Sequence, residues 1–67
     1  MNKYQAFTVS IKDGSTYWQN KIGSINEVIN HAKKFTKRKA DLIIYNITDS
    51  NNCVFVKHIS HKELNNE

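Results

Sequence analysis

The most concentrated chemistry in this chain is positive charge. Lys33-Lys34-Phe35-Thr36-Lys37-Arg38-Lys39 places five cations in seven positions, a composition suited to anionic surfaces such as phosphate backbones or clustered carboxylates. At helical spacing Lys33 sits over Lys37 and Lys34 over Arg38. The run therefore predicts two columns of like charge, which repel by about 0.2–0.5 kcal/mol per pair unless a helix dipole or an anionic partner offsets them. Lys21 is expected to extend this field, and Tyr17 offers a ring that can stack on a base or anchor a protein. Lys21, Lys33, Lys34, Lys37, Arg38, Lys39 and Tyr17 form the candidate binding site. Arg38 is the single arginine, and lysine lacks the planar fork that reads guanine edges. Any nucleic-acid contact expected here is thus sequence-independent.

Groups suited to catalysis are sparse by comparison. General acid–base chemistry needs two groups held in one pocket with separated pKa values. The carboxylates Asp13, Glu27, Asp41, Asp49, Glu63 and Glu67 fall instead in turns, at a helix cap, before a strand or in the tail. Cys53 is the single cysteine, which excludes an intramolecular disulfide, and it reads as a small apolar residue at a strand start. His58 and His61 lie three positions apart, but a zinc site wants three or four preorganised ligands, so no metal is expected. No glycine-rich phosphate loop is present: Gly14 fits a chain reversal and Gly23 a break before a helix. These features predict a protein without enzymatic activity and without a cofactor.

The elements that would carry the candidate site follow from periodicity. From Gln5 to Ile11, Gln5, Phe7, Val9 and Ile11 alternate with Ala6, Thr8 and Ser10 as a strand requires. Asp13-Gly14 is a strong hairpin signal. A two-residue turn there pairs Val9 with Trp18 and Phe7 with Asn20. It gathers Phe7, Val9, Ile11, Trp18 and Ile22 on one face, and Thr8, Ser10, Tyr17, Gln19 and Lys21 on a face expected to be solvated. Ser24-Ile25-Asn26-Glu27 matches a capping box. Ile25, Val28, Ile29, Ala32 and Phe35 then continue at helical spacing, predicting a helix from about residue 25 to about residue 38.

Two further β-rich runs, Asp41 to Thr48 and Cys53 to Ile59, flank the turn Asp49-Ser50-Asn51-Asn52. With those four residues as the loop, Ile43, Tyr45, Ile47, Val54 and Val56 share one face, and Leu42, Ile44, Cys53, Phe55 and Ile59 the other. Both faces are apolar, as in central strands or a sheet covered by a second subunit. The resulting fold class is α+β: ββαββ, a four-stranded antiparallel sheet of order 2-1-3-4 with one helix on one face. Residues 1–67 form one domain, and the polar tail 60–67 is expected to fray or to extend the last strand briefly.

At 67 residues and 39% apolar composition the chain must recruit nearly all its large side chains to make a core, and a homodimer would relieve the shortage. The formal charge is +4, and eight of the ten basic residues precede residue 41, where only two acids lie. That asymmetry suits steering of an acidic partner. With no basic-then-apolar leader and no long apolar run, the expected location is cytoplasmic, without a membrane partner. Small basic α+β proteins of this size are common among phage and plasmid accessory factors, including inhibitors. The expected function is therefore an accessory or inhibitory factor that docks on an acidic protein or nucleoprotein surface. The alternatives are direct nonspecific binding of DNA or RNA through the basic helix end, and a structural homodimer.

Overall fold

A computed structural model of the chain describes residues 2–36 and 39–65. The elements run β1 (Tyr4–Ser10), β2 (Thr16–Trp18), α1 (Ile25–Phe35), β3 (Ala40–Asn46), β4 (Val54–Ile59) and α2 (His61–Asn65). The strands form one sheet of order β2-β1-β3-β4, antiparallel at every pairing, so the chain has the ββαββ architecture. Because β2 and β3 both run opposite to β1, they are parallel to one another. Helix α1 joins them as a crossover above β1.

The helix begins where the sequence places it. Ser24 N–H donates to Glu27 Oε1 at 2.9 Å, and Glu27 N–H donates to Ser24 Oγ at 3.2 Å, completing the capping box. Glycine at position 23 leaves room for this cap: a Cβ there would lie 2.7 Å from Glu27 Oε1 and would displace the capping carboxylate. The helix ends at Phe35, earlier than the expected residue 38. Thr36 is extended, and its N–H still bonds the Ala32 carbonyl. A β-branched residue at the cap position gives up little by leaving the helix, and the chain must reverse within four residues to begin β3.

The face that α1 covers is the opposite of the one expected. Ala6, Thr8 and Ser10 of β1 are buried, together with Leu42, Ile44, Ile59, Val28, Ala32 and Leu64. Phe7 and Val9 face the helix-free side. The physical reason is thickness. The apolar stripe of α1 is Val28 and Ala32 flanked by Ile25 and Ile29, and a helix of such modest side chains seats closely only over small ones. Ala6, Thr8 and Ser10 supply that low bed along β1, whereas Phe7 and Trp18 would hold the helix away. The two buried hydroxyls are satisfied within the hairpin: Thr8 Oγ1 donates to the Tyr17 carbonyl at 3.4 Å, and Ser10 Oγ accepts from Lys12 N–H at 3.3 Å.

Three details of register also differ from expectation. Phe7 pairs with Trp18, and Val9 with Thr16, two residues out from the expected pairing. Ser10 N–H reaches the Ser15 carbonyl, and Gly14 N–H reaches the Ser10 carbonyl. The turn is therefore a four-residue loop over 11–14, with Gly14 at φ 75°. A shift of two keeps every side chain on its face. In the second hairpin Ile44 pairs with Lys57 but Tyr45 with Phe55, leaving Val56 as the extra residue of a bulge. The bulge moves Phe55 from the face of Leu42 and Ile44 to that of Tyr45.

Where fraying or an extended strand was expected at the end of the chain, Ser60 and Glu63 repeat the Ser-x-x-Glu cap of α1. Glu63 N–H donates to Ser60 Oγ at 3.3 Å, and Ser60 N–H donates to Glu63 Oε1 at 3.4 Å. The short α2 that follows delivers Leu64 to the core at 4% exposure. Ile11, Ile22 and Phe35, read from the sequence as apolar-face residues, are each about half exposed.

The packing has a direct consequence for stability. Ala6→Leu should overfill the bed beneath α1 and lower stability by about 1–3 kcal/mol, whereas Phe35→Ala should cost less, about 1 kcal/mol or below, because that ring is already about half exposed and lies against the His31 ring at the surface. Urea unfolding of both variants checks the pair of values.

Candidate functional site

The basic run is contiguous in sequence but dispersed in space. Helix α1 presents Lys33 and Lys34 in its last turn, both exposed. Because the helix stops at Phe35, the described helix carries only the first member of each expected column; Lys37 and Arg38 lie outside the described residues. Lys33 faces a groove shared with Lys57 of β4, Asn26, Asn30 and Glu63. Lys34 lies on the other flank, in a groove with Lys21, Glu27, His31 and Phe35, and its Nζ stands 5.4 Å from the Phe35 ring centroid. Lys39 sits at the end of the sheet near the first turn, in a groove lined also by Ser10, Ile11, Lys12 and Asp13. There the Ile11 N–H bonds the Lys39 carbonyl at 3.3 Å.

Each groove thus combines two lysines with one acid. Lys21 Nζ is 3.6 Å from Glu27 Oε2, so part of its charge is spent on the helix cap, an exposed contact of small energetic weight. The Glu27 carboxyl is held below its usual range by the hydrogen bonds from Ser24, with Lys21 adding to the effect. Tyr17 is exposed on the edge strand β2, opposite Thr8 and therefore on the helix side of the sheet. Lys12 and Lys57 join the cationic set, and the sequence run did not point to them. Only the hairpin loop brings Lys12 beside Lys39, and only the β4 register brings Lys57 beside Lys33.

The helix-free face has the opposite character. One aromatic residue from each strand forms a continuous row across it. Trp18 and Phe7 have ring centroids 4.9 Å apart, Phe7 and Tyr45 6.0 Å, and Tyr45 and Phe55 6.1 Å. These edge-on and tilted arrangements suit ring quadrupoles. Val9 and Ile43 pack alongside, placed by the pairing of Val9 with Asp41 and of Phe7 with Ile43. Trp18 is 56% exposed and Phe55 54%. Alternation in β1 and β3 carries a signal for this face, but size alone assigns its large residues to the core.

The polar corner of the same face is built around Asp41. Its Oδ1 accepts from His61 N–H at 2.8 Å and lies 3.3 Å from His61 Nδ1, while its Oδ2 is 3.1 Å from His58 Nε2. The hydrogen bond from the His61 backbone is the main reason its carboxyl titrates below the usual range; burial opposes the shift, and both imidazoles reinforce it. This cluster ties the start of β3 to the junction of β4 and α2. Among the described residues no group of three or more His, Cys, Asp or Glu side chains is arranged to hold a metal ion. Cys53 is exposed in the loop before β4. Among the described residues no helix is long and apolar enough to cross a membrane.

No family model matches the chain, and neither a curated protein nor a solved structure does.

The Asp41 cluster gives a signed pH dependence. A carboxyl whose folded pKa lies below its unfolded value, about 3.9 for Asp, contributes stability that is fully present above that value. The contribution is lost as pH falls through the folded pKa. Thermal melts should therefore show Tm dropping as pH falls below about 4, and Asp41→Asn should flatten that acid limb while leaving the part that Glu27 supplies.

Proposed function

We propose that this protein is a non-enzymatic binding factor of the cytoplasm that docks through its helix side onto an acidic protein surface, such as one exposed on a nucleoprotein assembly. The observation that carries this reading is the separation of charge. Lys21, Lys33, Lys34 and Lys57 surround α1, and Lys12 and Lys39 lie at the adjoining end of the sheet. No lysine or arginine stands among the strand residues of the aromatic face. A surface polarised in this way orients an approaching anionic partner and raises the encounter rate in a salt-sensitive manner. An accessory or inhibitory role would follow from occupying an acidic surface that another macromolecule needs.

Direct binding of nucleic acid is the second reading. Single-strand platforms combine stacking rings with cations along the same groove, whereas here the grooves that hold Lys21, Lys33, Lys34 and Lys57 flank the helix, away from the aromatic row. What remains is duplex backbone contact by lysines alone, with affinity that falls steeply with salt.

Titration against an acidic polypeptide, duplex DNA and single-stranded RNA at two ionic strengths separates these readings. The expected result is binding to the acidic polypeptide at low salt that weakens at least about tenfold at physiological salt, and is abolished in the triple variant Lys12→Glu, Lys33→Glu, Lys34→Glu. Preferential binding to DNA would favour the second reading. Binding to none of the three at low salt would overturn the proposal.

A further inference from the structure

We infer that the helix-free face of the sheet is a two-fold interface with a second copy of this chain, packed sheet against sheet with the α1 helices outward. The inference concerns the face opposite the lysine grooves and stands independently of what those grooves bind.

Charge selects the partner. The chain carries a formal +4, so a contact between two copies through the helix side would oppose lysine to lysine. The aromatic face holds, besides Gln5 and Thr16, only Asp41 and His58 as polar strand residues, and these two are paired at 3.1 Å. Among the described strand residues this face carries no lysine, and Lys3 and Lys39 stand only at its two ends, where the chain enters β1 and β3, so its centre can meet a second copy with little like-charge repulsion, as an isologous contact demands.

Size is consistent with the same occupant. Four strands spaced about 4.8 Å apart, with the central pair about 23 Å long, give a footprint on the order of 400 Å² before side-chain relief is counted. That lies within the range of the largest apolar patches that monomers leave open, about 300–600 Å². With relief it approaches the roughly 600–1,000 Å² per partner of a standard interface. The core that α1 covers contains no aromatic side chain among its buried members. Covering the aromatic row would therefore add the largest apolar groups of the chain to its buried surface.

The geometry also favours faces over edges. The β4 edge is interrupted by the Val56 bulge and carries Lys57 and His58, and the β2 edge is three residues long; both features disfavour strand addition. In a face-to-face pair, a two-fold axis parallel to the strands and between β1 and β3 would set β1 over the partner's β3 and β2 over the partner's β4, bringing the two aromatic rows together across the contact.

Sedimentation equilibrium of the full chain across a concentration series, at low and high salt, tests the inference. The expected mass is twice 7.8 kDa, persisting at high salt, with Trp18 emission shifting to longer wavelength as dilution separates the copies. Phe55→Lys, at an exposed position on the edge strand, should weaken association at least about 30-fold while circular dichroism stays native; Lys33→Glu should leave the mass unchanged. A 7.8 kDa species at about 100 μM, a concentration at which even weak dimers populate, would overturn the inference. So would a dimer unaffected by Phe55→Lys but lost in Lys33→Glu, which would place the contact on the helix side. Quenching of Trp18 by a single-stranded oligonucleotide added to monomeric protein would likewise overturn it and make the face a base-stacking platform. Loss of acidic-polypeptide binding with the dimer intact would count against the lysine grooves alone.

Discussion

One helix can cover only one face of a four-stranded sheet, and in this protein the choice of face is made by three small residues on β1. Ala6, Thr8 and Ser10 lie beneath α1 with Leu42 and Ile44 beside them. Close packing rewards contact at van der Waals distance, and a helix whose inward stripe is Val28 and Ala32 reaches that distance only over a low surface. Much of the remaining architecture depends on this seating. The capping box and Gly23 set where α1 begins, the extended Thr36 ends it in time for β3, and Leu64 of α2 closes the flank. The aromatic residues, displaced from the interior, become a surface.

That displacement explains what could be read from the sequence and what could not. Alternation in β1 and β3, the Asp13-Gly14 reversal, the Ser24 to Glu27 box and the order 2-1-3-4 are all local or topological signals, and each is present in the fold. The covered face is not local. Alternation says that Phe7 and Thr8 point opposite ways, but assigning the larger set to the core assumes that the helix follows hydrophobicity, when here it follows shape. The Val56 bulge was equally hidden, because a run with apolar residues on both faces offers no register by which to detect one extra residue. Ser60 to Glu63 did carry the same capping signal as α1, obscured by the polarity of the tail around it.

For the candidate site the linear reading located charge but not its layout. Lys33, Lys34 and Lys39 diverge because helix, cap and strand point them to different flanks, while Lys12 and Lys57 arrive from distant parts of the chain. The outcome is a molecule divided by its sheet: lysine-lined grooves beside the helix and at one end of the sheet, and a row of rings whose described strand neighbours include no lysine on the other side. The division matters for function because electrostatic steering and apolar burial have opposite salt dependence and can therefore serve two contacts at once. The Asp41 cluster stands at the junction, anchoring α2 to β3 at the margin of the apolar face.

The central claim is that α1 rests on the small-residue face. It is tested most directly by nuclear Overhauser contacts from the methyl groups of Val28 and Ala32 in isotope-labelled protein. Contacts to the Ala6 and Leu42 methyls, with none to the Phe7 or Trp18 rings, are the expected result. Contacts from Val28 or Ala32 to those rings would contradict the account, because they would place the helix on the aromatic face and return its row of rings to the core.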